Sequence, residues 1–208
     1  PTLCASKVIA SPIAAGYSMN FDAAYYQRYY HDPKTRAVSP EEQQRQVTFI
    51  AAYLRYLEVE VSSIVDIGCG IGTFLQQFKK EFPNASCHGV EFSAYLCEQY
   101  GWQQGSVVDV DTAPADLIVC SDVLAYLNRK ACAQAIQHLA GLSQSALYLS
   151  VLTSEDMTIV DTEHSDMQQQ PRSFRWYRKH LDPHFQSVGG GLFIKKPLTV
   201  SLWRLEHT

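Results

Sequence analysis

The sequence predicts an α/β fold, with a mostly parallel sheet, helices on both faces and one antiparallel strand near an edge. Three observations carry that expectation. Short β-rich apolar runs alternate with segments of helical apolar spacing from residue 40 onward. The first of these runs ends in a glycine-rich turn that opens a helix. Of 208 residues, 46% are hydrophobic and only 18% charged, against about 25% charged in ordinary soluble domains, so the chain can bury a sizeable core.

The elements follow in order. Tyr25, Tyr26, Tyr29 and Tyr30 recur at helical spacing before Asp32-Pro33, which should end that helix. Ser39 reads as an N-cap and Pro40 as the first helical residue, with Glu41 and Glu42 suiting the first-turn dipole. Val47, Ile50, Leu54 and Leu57 then share one helical face. Residues 61–67 read as a buried strand. Phe74, Leu75, Phe78 and Phe82 mark the next helix, and residues 87–91 a second strand. Ser93 caps a helix through Tyr100, and Val107 to Val110 read as a short strand. Residues 116–120 are a clear strand, Asn128 caps a helix to about Leu139, and residues 146–152 form another strand. In the tail, residues 173–181 read helical, and residues 185–196 and 198–205 read as two strands. Their short Lys-Pro-Leu link makes them an antiparallel pair. Gly189-Gly190-Gly191 reads as a bulge or a close packing contact, not a phosphate loop.

Composition excludes several function classes. Lys plus Arg number 17 and Asp plus Glu 21, a net charge of −4 with no long basic run, which argues against a nucleic-acid binder. The six cysteines form no CxxC pair, so neither a disulfide framework nor a zinc site is expected, and the compartment reads as cytoplasmic. No apolar run approaches the roughly 18 residues that span a membrane. No metal is expected: residues 161–166 lack a calcium-loop spacing, and Pro183 separates His180 from His184. Residues 1–18 read as a flexible extension, 19–60 as an N-terminal helical cap segment and 61–208 as the core domain.

The chemistry lies in the turn after the first strand, where Asp66, Gly68, Cys69, Gly70 and Gly72 form D-x-G-x-G-x-G. Glycines allow the tight turn and a close approach of ligand to backbone. A dinucleotide fingerprint wants its third glycine one residue later. Asp66 would repel a pyrophosphate but suits a cationic amino group. Glu91, 19 residues beyond Gly72, ends the second strand and suits bidentate bonds to ribose hydroxyls.

These residues, with Val90-Glu91-Phe92 and residues 117–127, resemble the class I S-adenosylmethionine-dependent methyltransferases, over roughly residues 40–205. The resemblance implies a Rossmann-like, seven-stranded sheet and S-adenosylmethionine as cofactor. It implies that Asp66, Gly68, Gly70 and Gly72 surround the methionine part, that Glu91 holds the ribose, that Cys120, Ser121, Asp122 and Val123 border cofactor and acceptor, and that Cys69 and Phe92 are further cofactor contacts. Ser106 and Val107 stand where many members carry a Gly-Asp pair near the adenine, and Tyr126 where many have His. Tyr26 and Tyr30 either pack their helix or line the sulfonium, whose charge ring faces attract.

The expected activity is methyl transfer to a small-molecule acceptor, on oxygen or nitrogen. The alternatives are a non-catalytic cofactor-binding partner protein and an NAD-dependent oxidoreductase. Candidate catalytic groups are Asp122, Tyr126 and His31; candidate acceptor contacts are Tyr126, His164, Arg172 and Tyr177. Asp122 reads equally as a helix cap. The chain is expected to act without nucleic acid or membrane, as a monomer or homodimer.

Overall fold

The computed structural model describes residues 21–36, 38–160 and 169–202. The proposed extension at residues 1–18 and His164 lie outside them. A sheet of seven strands runs in the order β3-β2-β1-β4-β5-β7-β6. Its strands are β1 (Ser63–Ile67), β2 (Ser86–Glu91), β3 (Gln103–Gln104), β4 (Ala115–Ser121), β5 (Ser143–Ser150), β6 (Phe185–Gly189) and β7 (Leu192–Lys195). β7 is antiparallel to both neighbours, and every other pairing is parallel. The helices are α1 (Ala23–Tyr26), α2 (Pro40–Tyr56), α3 (Thr73–Glu81), α4 (Ala94–Tyr100), α5 (Arg129–Leu142) and α6 (Phe174–Leu181).

Alternation along the strands divides the core. Val65, Ile67, Ile118 and Cys120 face the layer under α5 and α6, while Ile64, Leu117 and Val119 face α2 and α3. α2 begins with a full capping box, in which Ser39 Oγ accepts from Glu42 N (3.1 Å) and Glu42 Oε2 accepts from Ser39 N (2.8 Å). Asn128 Oδ1 likewise caps α5 through Ala131 N (3.0 Å).

Three local expectations are corrected. The expected strand over 185–196 is broken at Gly189–Gly191, where three successive positive φ angles (91°, 58°, 76°) turn the chain back on itself. β6 and β7 are the two arms of that hairpin: Gly190 and Gly191 make its turn, Gly189 ends β6 at a bulge-like register shift, and a Cβ on Gly191 would lie 2.8 Å from Leu149 O, so the expected bulge and close contact hold inside an unexpected turn. Residues 198–202 belong to no strand, and the rest of the expected second strand lies outside the described residues. Residues 107–110 form a turn closed by Val110 N to Ser106 O (2.8 Å), and β3 lies earlier, at Gln103–Gln104. Val107 and Val110 are apolar because they plug the core. Lastly, α1 continues as a π-helical turn through Gln27–His31 before Asp32 ends it. π-turns of this kind collect at functional sites.

Candidate functional site

The strand order reverses between β1 and β4, which run parallel: β2 and β3 lie to one side and β5 onward to the other, the switch point at whose carboxyl end open α/β sheets place their ligand crevice. One flank of it is the turn after β1. Gly68 N and Cys69 N both donate to Val90 O (2.8 and 3.1 Å), folding the turn over the end of β2. Gly68, Gly70 and Gly72 take φ of 84°, 54° and 79°, angles open to glycine at little cost. Space forbids side chains at Gly68 and Gly72 as well, and is tight at Gly70. A Cβ on Gly68 would collide with Val123 Cγ2, one on Gly70 would lie 3.3 Å from the Tyr30 ring, and one on Gly72 would lie 2.5 Å from Trp102.

Two groups clamp this turn. Gly70 N donates to Glu91 Oε2 (2.8 Å), and Trp102 Nε1 donates to Gly70 O (3.0 Å). The other carboxylate oxygen of Glu91 accepts from Ser93 N (2.9 Å). Glu91 is buried, which raises its pKa, while those backbone donors pull it back down. Phe92, next along, keeps 51% of its surface exposed, an open apolar face beside that carboxylate.

Asp66 is the anomaly. It is 2% exposed, and among the described residues no hydrogen bond or ion pair reaches its carboxyl. Burial, reinforced by the charge of Glu91, pushes its pKa up to about 8. A buried, unpartnered acid is costly to a fold. Its position under a glycine turn makes it the natural partner of a ligand's ammonium group.

The opposite flank follows β4. Asp122 sits in the left-handed region at φ 57°, uncommon for a residue with a side chain. Its backbone N–H donates to Ser150 O (2.9 Å), and Ser121 Oγ donates to its carboxylate (3.3 Å). Ser121 and Ser150 share a 2.7 Å hydroxyl contact. Nearby protein raises the Asp122 pKa, although the residue itself is exposed. Tyr30 combines the same properties: 37% exposed, with its hydroxyl held protonated by burial and by Tyr26, Glu91, Tyr126 and Asp122 around it.

The Tyr-rich segment roofs the crevice. Ser93 Oγ, positioned as the N-cap of α4, instead donates to Phe21 O (2.8 Å) and ties down one end of the segment. Tyr26 is buried beside Ser93 and Glu91 and stacks on Tyr95 (6.3 Å). Tyr25 meets Tyr126, hydroxyl to hydroxyl, at 3.2 Å. The structure therefore brings together Asp66, Gly68, Gly70, Gly72, Glu91, Tyr26, Tyr30, Asp122 and Tyr126.

Other candidate residues lie elsewhere. His31 is exposed at the end of the π-turn, with no bond to this cluster among the described residues. Ser106 Oγ accepts from Val108 N (3.3 Å) and Val107 packs in the core. Cys69 and Cys120 are buried, and burial raises both thiols, leaving them as packing groups. Arg172 and Tyr177 are 5% and 3% exposed and turn their polar groups on each other and on the carbonyls of the 124–127 turn. The residue that sequence reasoning missed is Trp102. The signal available for it was Gly101, in the left-handed cap of α4 (φ 74°), which aims the next side chain back under the sheet edge.

An α/β sheet with its crevice at the β1/β4 switch point, a glycine turn and an acid on the second strand is the architecture of a nucleoside-cofactor enzyme. A family model for the methyltransferase domain matches residues 26–190, and the chain belongs to that family. Among solved structures it resembles three named methyltransferases. One is magnesium protoporphyrin IX methyltransferase from Synechocystis PCC 6803 with bound SAH, at 19% identity and TM-score 0.53, covering 69% of this chain and 74% of that one. Another is the plantazolicin methyltransferase in complex with SAH, at 16% identity and TM-score 0.55, covering 77% and 73%. The third is a SAM-bound amino pentose methyltransferase from Micromonospora echinaspora, at 18% identity and TM-score 0.51, covering 67% and 61%. No curated protein matches in sequence.

The residues present fit S-adenosylmethionine. The orphaned Asp66 carboxyl would suit an ammonium group, Glu91 would still have lone pairs for ribose hydroxyls, and the exposed Phe92 ring would offer a face to a purine.

Proposed function

We propose that this protein transfers a methyl group from S-adenosylmethionine to a small-molecule acceptor, at oxygen or nitrogen. The cofactor supplies a methyl already activated on a sulfonium, so the chain's task is to align the acceptor and keep water out. Asp66 and the glycine turn hold the amino-acid end, Glu91 and Phe92 the nucleoside end, and Tyr26 and Tyr30 roof the methyl. Asp122 and Tyr126 face the acceptor's side, with Asp122 placed to receive a proton; His31 and His164 are the remaining proton-transfer and acceptor-contact candidates. The reading includes action as a monomer or homodimer in the cytoplasm, without nucleic acid.

The single observation that carries the reading is the buried, unpartnered Asp66 beneath a turn of left-handed glycines. It favours an ammonium-bearing cofactor over a dinucleotide, whose pyrophosphate it would repel. The names of the three matched structures, all methyltransferases of small or natural-product molecules, support the acceptor class. Calorimetric titration with S-adenosylhomocysteine tests the cofactor, with binding expected at a single site; absence of binding overturns the reading. Label transfer from methyl-labelled cofactor across a panel of phenols, carboxylates and amines then separates an enzyme from a non-catalytic binder.

A further inference from the structure

Arg172 is a buried cation with no carboxylate beside it among the described residues. Nη1 donates to Leu124 O (3.3 Å), Gln170 O (3.1 Å) and Tyr177 Oη (3.4 Å), and Nη2 donates to Leu127 O. The guanidinium also lies over the Trp176 ring, 5.3 Å from its centre. Burying a charge against neutral carbonyls costs more than packing an apolar side chain of similar volume. What the charge supplies instead is direction: a planar fork that reaches carbonyls on both sides of Tyr126 at once.

The rest of its segment grips the same turn. Gln170 N donates to Ala125 O (2.7 Å), Gln169 Nε2 lies 3.5 Å from the Tyr126 hydroxyl, and Ser154 N donates to Arg172 O (3.0 Å). From the opposite side Tyr126 meets Tyr25 (3.2 Å) and packs edge-on against Phe21 (5.8 Å), so the turn is held between Arg172 below and the aromatic roof above.

We propose that Arg172 is a positioning residue that fixes the 124–127 turn so that Tyr126 latches the aromatic segment 21–31 over the crevice. Among the described residues its bonds reach neither the crevice nor the roof, and it acts through carbonyls at both ends of the turn. Removing it leaves the Leu124 and Leu127 carbonyls without these donors, lets the turn shift, and frees one side of the roof. The roof's tie at Ser93 remains. The proposal rests on the cofactor reading only for what lies beneath the roof; the latch is measurable on the free protein.

Hydrogen exchange on the full chain tests it. In Arg172→Met, exchange in segment 21–31 is expected to rise about fivefold to tenfold, the weight of one lost hydrogen bond, with exchange in β1 and β4 unchanged. Arg172→Lys keeps the charge without the fork and should fall between. Tyr126→Phe removes the hydroxyl with its contacts to Tyr25 and Gln169 and should loosen the same segment, and the pair Arg172→Lys with Tyr126→Phe should loosen it no more than the larger single change. A purely structural arginine would raise exchange across the sheet, or leave 21–31 untouched; either result overturns the proposal. If Arg172→Met does not fold, Arg172→Lys and Tyr126→Phe carry the same comparison. S-adenosylhomocysteine titration of the unmodified protein tests the cofactor reading separately, so a failed latch and a failed cofactor assignment give different patterns.

Discussion

The two flanks of the crevice are held in different ways. On the β1–β2 side the surfaces facing the crevice are largely backbone: left-handed glycines, N–H groups fixed on Val90 and Glu91, and two carboxyls with 2% and 6% exposure. On the β4–β5 side they are side-chain hydroxyls and rings, joined by contacts of 2.7–3.5 Å among Ser121, Ser150, Tyr126, Tyr25 and Gln169. A backbone site accepts one ligand shape and tolerates little change. A side-chain site can be re-cut by substitution without disturbing the sheet. The first flank suits a ligand that never changes, and the second one that differs between relatives.

The sharpest way to break that contrast is to alter the first flank. Gly70→Arg places a side chain against Tyr30 at a φ of 54° and should abolish S-adenosylhomocysteine binding. Asp66→Ala should weaken binding by about a hundredfold or more, since a charged partner is lost from a buried site. It should also leave the free protein as stable as before or more so, because it deletes an unpartnered buried acid. Calorimetry and thermal melts read the two effects separately. Unchanged affinity in either variant would place the cofactor elsewhere.

A pH dependence follows from the same residue. Asp66 titrates near 8 in the free protein, against about 3.9 for an unperturbed aspartate. A raised folded pKa means the neutral acid favours the fold. Its contribution is complete below about pH 4 and is lost as pH rises through about 8. Binding of an ammonium group runs the other way, because it selects the ionised carboxylate. Affinity should therefore climb with pH up to about 8, and binding near neutrality should release a proton. Titrations in buffers of different ionisation heat measure that release; none at all would take the ammonium away from Asp66.

Weaker effects are expected as the contacts become side-chain ones. Phe92→Ala removes an exposed ring and should cost about 1–3 kcal/mol of cofactor affinity, the range for base stacking on an aromatic side chain. Tyr126→Phe should change that affinity by less than about threefold, since its hydroxyl bonds Tyr25 across the roof rather than the glycine turn. A large cofactor effect at Tyr126 would show that the flanks are not separable.

The difference between flanks also explains what the sequence disclosed. The glycine turn, Asp66 and Glu91 were legible because a left-handed turn at a strand end leaves a local signature. The strand alternation was legible for the same local reason. Trp102 was not, since its bond to Gly70 joins residues 32 apart in the chain. Arg172 read as a ligand contact because charge in a loop suggests exposure, whereas its partners Leu124 and Leu127 lie 48 and 45 residues away. The tail misled for a third reason. An apolar run is the same on either side of Gly189–Gly191, and it does not show that the chain turns back on itself there. The π-turn after Tyr26 leaves no apolar period of its own over five residues.

The smallest effect discriminates most finely, because it concerns strain on the adaptable flank. Asp122 holds φ 57° while its N–H bonds Ser150 O and its carboxylate takes a hydrogen bond from Ser121. If that carboxylate only capped the turn, glycine would relieve the backbone and lose one weak bond of 3.3 Å. Asp122→Gly should then raise stability by about 0.5–1 kcal/mol, read from urea unfolding. If the strain is kept because the carboxylate meets the acceptor, the same variant gains stability while turnover falls and cofactor affinity stays level. Asp122→Asn, which keeps shape and backbone preference, should lose turnover without the gain in stability. Equal turnover in all three proteins would assign Asp122 to the turn alone and leave the acceptor's contacts to Tyr126 and the roof.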